Sequence, residues 1–249
     1  MFLATEICFG DKELISKMKI ETYTWEIVDV NSYLIREGDK AILIDAVEND
    51  SLYEAVREIK ELTVILTHCH YDHIAGLNHL REIKPDLKVC ATTTCSEYVG
   101  DPNRNLSSIS KEFMSFYLKQ DVDEMEDCEV KRKINEITGF SCDPCDITFD
   151  DEMTIDFECH SIVLTRFYGH SNDSLIAVLD DKYMFSGDTI LGIPTATRLP
   201  KGSTRKFWNE DIPRLEKLTD AIDTVYPGHG KPGKLAEFIG VNERPEKFK

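Results

Sequence analysis

Residues 66–76 read LTHCHYDHIAG, which packs His68, His70, Asp72 and His73 into six positions of a chain with only seven histidines among 249 residues. A lone histidine is more often a hydrogen-bonded structural residue than a ligand, and a charged cluster is usually a solvated surface. Neither reading explains alternation followed by adjacency. In an extended segment residues i, i+2 and i+4 share one side, so His68, His70 and Asp72 can converge on one region while His73 turns toward a neighbouring one. That pattern suggests two adjacent metal sites.

Working outward, VILT before the motif reads as a buried strand, and the apolar spacing of IAGLNHLREI predicts a helix beginning near Gly76. The ligands therefore fall at the carboxyl end of a strand, where open α/β sheets tend to place their sites. The same setting recurs downstream. His170 follows the apolar run SIVLTRFYG, Asp188 follows KYMFSG, and His229 follows DTVYP in a Pro/Gly-rich turn before KLAEFIG. Each lies beside glycine, where the backbone can turn sharply. His79 and His160 lack that setting and read as structural. Ser171, beside His170, reads as a turn residue because no Ser-His-Asp arrangement accompanies it.

In this order THCHYDH, GHS, SGD and PGHG resemble the ligand motifs of the metallo-β-lactamase fold, and of its hydroxyacylglutathione hydrolase-like hydrolases in particular. VNSYLI at 30–35, AILIDA at 41–46 and DPNRNLS at 101–107 extend the similarity through most of the chain. The resemblance implies an α/β (α+β) fold, a four-layer αββα sandwich of two mixed sheets between outer helices. It implies one metal held by His68, His70 and His170, a second held by Asp72, His73 and His229, and Asp188 bridging the two. Asp72 and Asp188 are then the carboxylates nearest the chemistry. Imidazole and carboxylate donors suit zinc, and also iron or manganese; two divalent ions, zinc first, are expected. Such a pair shares an activated water and supports hydrolysis without a separate nucleophile.

Composition bounds the remaining possibilities. A 41% hydrophobic chain of this length can build a substantial core, and without a linker or repeat it reads as one domain over 1–249, with residues 1–17 as a small addition before the family's usual start. A net charge of −17 disfavours nucleic acid. No apolar run is long enough to span a bilayer, and the opening MFLATEICFGDKELISKM lacks the features of a secretory signal, so a cytoplasmic protein is expected. The eight cysteines are scattered and read as reduced thiols. The one CxxC pair, Cys142 and Cys145, lacks the second pair or βαβ context that a zinc or redox role needs.

Substrate is less legible. A small thioester is the first expectation from the resemblance, with a lactone, other ester or phosphodiester as the alternative. In lactonases of this fold a tyrosine commonly follows the bridging aspartate by three positions, and here that position is Leu191. A mono-iron persulfide dioxygenase and a non-catalytic binding module are the readings from other classes. The stretch at about 105–138, with Phe113, Phe116 and Tyr117 at helix spacing, predicts a helical insertion that could cover the site. The basic segment TRLPKGSTRKFW, 197–208, suggests that Arg198 and Lys201 anchor an anionic tail of a small-molecule substrate.

Overall fold

Alternation along VNSYLI sends Leu34 to one side of its strand and Tyr33 and Ile35 to the other, and all three are buried. Strands apolar on both faces must lie inside a layered structure, and the computed structural model shows that layering. It describes residues 18–105, 120–121, 124–128, 131–132, 137, 140–197 and 202–246. Most of the expected helical insertion, the 1–17 addition, and both Arg198 and Lys201 lie outside the described residues.

The first sheet contains β1 (Lys19–Trp25), β2 (Val30–Glu37), β3 (Lys40–Ile44), β4 (Glu61–Ile65), β5 (Lys88–Thr92) and β6 (Ile147–Phe149), in that order. Its first two pairings are antiparallel and the other three parallel. The second sheet runs β11 (Thr224–Pro227), β10 (Tyr183–Gly187), β9 (Leu175–Leu179), β8 (His160–Arg166) and β7 (Glu152–Phe157). It is antiparallel except where β10 meets β11.

Three apolar layers hold the sheets and helices together. Tyr33, Ile35, Ile42, Ile44 and Ile65 of the first sheet meet Ile162, Leu164, Leu175, Ala177 and Phe185 of the second. Phe185 anchors this middle layer, stacked on Tyr226 at 5.0 Å between ring centroids and tilted against Tyr33 at 5.5 Å. The intervening residues Leu34, Leu43 and Val64 face outward beneath α1 (Asp50–Arg57), α3 (Leu77–Ile83) and α4 (Thr93–Tyr98). On the far side Met184, Ile176 and Val225 pack against the helical run 204–216 and the helix Leu235–Gly240. The layer order is thus αββα, as the resemblance implies. Local signals set the helix starts: the Asn49 carboxamide oxygen accepts from the Leu52 amide at 2.9 Å, and the Thr92 hydroxyl accepts from Cys95. Among the described residues no helix is long and apolar enough to cross a membrane.

Candidate metal centre

The parallel strands β3 and β4 end at the same rim, and the ligand motif begins directly after β4. The extended reading holds only for its first half. Tyr71–Ile74 closes a short helix (α2), and His70, at φ −59° and ψ 142°, stands just before it. Tyr71 and Ile74 both sink into the outer core, Tyr71 edge-on to Trp25 and Phe140, and helical spacing lets both face inward. Asp72 and His73 are therefore presented by a helical turn rather than by alternation. Cys69, between His68 and His70, points into the outer core.

The second sheet supplies the rest. His170 follows β8, Asp188 follows β10 and His229 follows β11. All seven predicted residues meet at the rim shared by the two sheets. Their donor atoms form three groups, each with all atoms within 4.8 Å of one another: His68, His70 and His170; Asp72, His73 and His229; and His68, His73 and Asp188. Asp188 lies between the first two, with Oδ1 3.4 Å from His73 Nε2 and Oδ2 3.6 and 3.5 Å from Nε2 of His170 and His229. His79 and His160 stay outside the cluster. The first meets Tyr53 and Glu82, the second Asp180 and Glu37.

Hydrogen bonds orient the rings. Nδ1 of His170 donates to the Ala196 carbonyl at 2.8 Å, and Nδ1 of His229 donates to the Val28 and Asp29 carbonyls, both at 3.1 Å. Each leaves Nε2 facing the cluster. Asp45 organises the other side. Its carboxylate accepts from the Thr67 amide (2.7 Å), the Thr67 hydroxyl (2.8 Å) and His73 Nδ1 (2.8 Å), while the Thr67 hydroxyl accepts from His68 Nδ1 at 3.0 Å. Such partners fix tautomer and direction in metal sites. His70 differs, turning Nδ1 inward to 2.9 Å from His68 Nε2 and 3.1 Å from His170 Nε2.

These residues fit divalent ions. Three ring nitrogens facing one another across about one hydrogen-bond length share too few protons to satisfy themselves, and a cation among them would satisfy all three. Buried His73 Nε2, Asp72 Oδ1 and Asp188 Oδ1 likewise have no hydrogen-bond partner. Burial, with His73, His70 and His170 close by, holds the His68 imidazole far below its usual range, and burial takes His70 down to about 3, so both keep a free lone pair. Burial would raise the carboxyls, but His73 and His229 bring Asp72 to about 2, and His229 and His73 drive Asp188 well below the usual carboxylate range. Gly228 closes the cradle: a Cβ there would collide with Asp188 Oδ1 and stand 2.7 Å from the His73 ring.

The metallo-beta-lactamase superfamily profile matches residues 25–229, spanning every residue of this cluster. The chain belongs to the metallo-beta-lactamase superfamily. It is 23% identical over 239 residues to a Beta-lactamase-like protein 2 homolog of Drosophila melanogaster, covering 87% of this chain and 65% of that protein. It is 22% identical over 213 residues to an Atrochrysone carboxyl ACP thioesterase of Aspergillus fumigatus, covering 82% and 52%. A hydroxyacylglutathione hydrolase of Francisella philomiragia is 39% identical over 61 residues, 24% of each chain. The chain thus spans between half and two thirds of the first two relatives. Among solved structures, BLEG-1 B3 metallo-beta-lactamase superposes with a TM-score of 0.68 at 19% identity over 90% of this chain and 98% of that one. TTHA1623, solved in a di-iron-bound form, gives 0.60 at 19% identity over 89% and 98%. These likenesses bear on the fold.

The sequence reading missed Asp45, although it obeys the same strand-end rule as Asp188: it directly follows β3, in AILIDA. It also missed Asn31, whose amide side chain donates to the carbonyls of Pro227 (3.3 Å) and Gly230 (2.8 Å) on both sides of His229. Asp173 was missed too. Its carboxylate accepts from the Cys69 amide at 2.8 Å and steadies the segment between His68 and His70.

Proposed function

We propose that the protein is a hydrolase dependent on two divalent metal ions and acting on a small thioester. The observation that carries the reading is the convergence of seven candidate ligands, more than one four-coordinate site can use, with His73 Nε2, Asp72 Oδ1 and Asp188 Oδ1 buried among them without hydrogen-bond partners. His68, His70 and His170 would hold one ion, Asp72, His73 and His229 the other, and Asp188 both. Bound there, the pair would supply a water of lowered pKa and polarise the substrate carbonyl. The chain's own part is to hold that geometry, to exclude other donors, and to take up a proton at Asp72 Oδ1, which is buried and has no other partner. The turn before β2 carries Ile27, 76% exposed, immediately ahead of the two carbonyls that hold His229, and so offers an apolar rim to an acyl group.

Thioester hydrolysis is favoured by the names of two relatives, a carboxyl ACP thioesterase and a hydroxyacylglutathione hydrolase. Leu191, a buried apolar side chain where lactonases of this fold commonly have tyrosine, favours it over a lactone. Arg198 and Lys201 complete the proposal as anchors for an anionic tail of the substrate.

Metal analysis of purified protein is expected to give close to two ions per chain, and His70→Ala or Asp188→Asn to abolish most activity without unfolding. A panel of thioester, lactone, phosphodiester and β-lactam, assayed with zinc, manganese or iron, is expected to show the thioester cleaved fastest. Arg198→Ala is expected to raise KM for an anionic thioester and to spare a neutral one. One ion at full activity, or oxygen uptake with a persulfide and no hydrolysis, would overturn the reading.

A further inference from the structure

The loop that carries His170 is gripped by one stretch of chain lying outside every ligand motif. Ala196 receives the ring, Gly202 packs on the His170 carbonyl, and the Ser203 amide donates to the Tyr168 carbonyl at 3.0 Å. A further contact comes from Asp211. This carboxylate has no solvent exposure and accepts from the Tyr168 amide at 3.2 Å through Oδ2, with the Gly169 amide directed at it as well. Its Oδ1 is buried without a hydrogen-bond partner.

A buried carboxylate that leaves one oxygen unsatisfied is costly, and local chain geometry explains how it comes to lie there. Phe207–Asp211 is a π-helical turn inside the helical run 204–216, and the Ile212 amide donates to the carbonyl of Phe207, five residues back. Pro213 follows at once. It has no N–H to give, and its ring presses on the carbonyl four residues earlier, so the run widens at this point. The widened turn directs Asp211 inward onto the chain leaving β8. The fit is close: a Cβ on Gly169 would stand 2.8 Å from Asp211 Oδ2 and 2.6 Å from Phe207.

We propose that Asp211 is a positioning residue for the metal centre, fixing the Tyr168–Gly169 peptide so that His170 Nε2 faces His68 and His70. The inference rests on His170 being a ligand, as proposed above. Burial lifts this carboxyl to about 6 even though the Tyr168 and Gly169 amides and Arg214 favour its charge. The fold thus maintains the residue at a cost, where a neutral side chain would be easier to bury.

The test uses full-length protein with Asp211→Ala, which removes the acceptor, and Asp211→Asn, which keeps one. Cobalt(II) titration with d–d spectra and chelator competition would read the two groups separately, and thermal melting would report stability. Asp211→Ala is expected to weaken the ion held by His68, His70 and His170 by about 10- to 100-fold, to leave the other ion within about threefold, and to be largely rescued by Asp211→Asn. Equal loss at both groups in step with melting, or no loss, would overturn the proposal. Should the alanine variant not fold, Asp211→Ser takes its place, and failure of all three to fold would make the residue purely structural and end the proposal. His170→Ala is the control: if it leaves metal content unchanged, the ligand assignment fails, whatever Asp211 does.

Discussion

Asp45 sits in the left-handed region, at φ +58°, immediately after β3. Aspartate tolerates this conformation better than most residues, but at some cost in energy. The strain brings one carboxylate onto His73 and Thr67 together, and Thr67 passes the constraint to His68. Asp45→Asn keeps the backbone preference but removes the charged acceptor. It is expected to cost about 10- to 100-fold in metal affinity, read by chelator competition, with the larger loss at the group of Asp72, His73 and His229. Asp211 gives a residue-scale prediction in pH. The folded chain holds this proton up to about pH 6, whereas an unperturbed aspartate loses it near 3.8. Between those values the folded state binds more protons, so this residue's contribution to stability falls as pH rises, by up to about 3 kcal/mol. Melting temperatures of wild type and Asp211→Asn, compared from pH 4 to 7, should diverge across that window in favour of the variant. Parallel curves would refute the assignment.

Elements differ in how openly the sequence declared them. The seven candidate ligands were legible because histidine is rare in this chain and because strands end abruptly beside glycine. The layers were legible only through the family resemblance that the ligand motifs, VNSYLI and AILIDA carry, since apolar periodicity is compatible with many layerings. The helical turn at 71–74 was not, since its cause is Tyr71 packing on Trp25 and Phe140, contacts distant in sequence, with Ile74 buried in the same core. Asp211 was hidden for a related reason: an acidic residue in NEDIPRLE looks like a solvated helix face, and only the π register turns it inward. Pro213→Ala tests that cause. It restores an N–H able to reach the Asn209 carbonyl and lets the turn tighten, which should draw Asp211 away from Tyr168. Affinity at the three-histidine group is expected to fall about tenfold while the melting temperature holds or rises, because proline is the poorest residue for a helix interior. In the middle layer, Phe185→Ala should instead cost about 3–5 kcal/mol in denaturant unfolding at every pH.

At the scale of the whole molecule, the proposed ligands come from both sheets, so bound metal ties the two together at one rim. At free metal near 100 times Kd an ion adds about 2.7 kcal/mol, which for a chain of this size corresponds to a melting temperature about 5–11 °C higher than after chelation. A net charge of −17 repels anions. Screening relieves that repulsion but also weakens the proposed Arg198 anchor, so raising salt should increase kcat/KM for an anionic thioester more in Arg198→Ala than in wild type and leave a neutral one unchanged. The hold on His229 has a further consequence. Its ring is fixed by the Val28 and Asp29 carbonyls, 201 and 200 residues earlier in the chain. On a ribosome the three-histidine group is complete in sequence once His170 has been made, whereas its neighbour waits for His229, 59 residues later. On the proposed assignment, nascent chains arrested between Asp211 and His229, which already carry the Ala196 and Asp211 contacts to the His170 loop, should capture one ion, and chains that include His229 two.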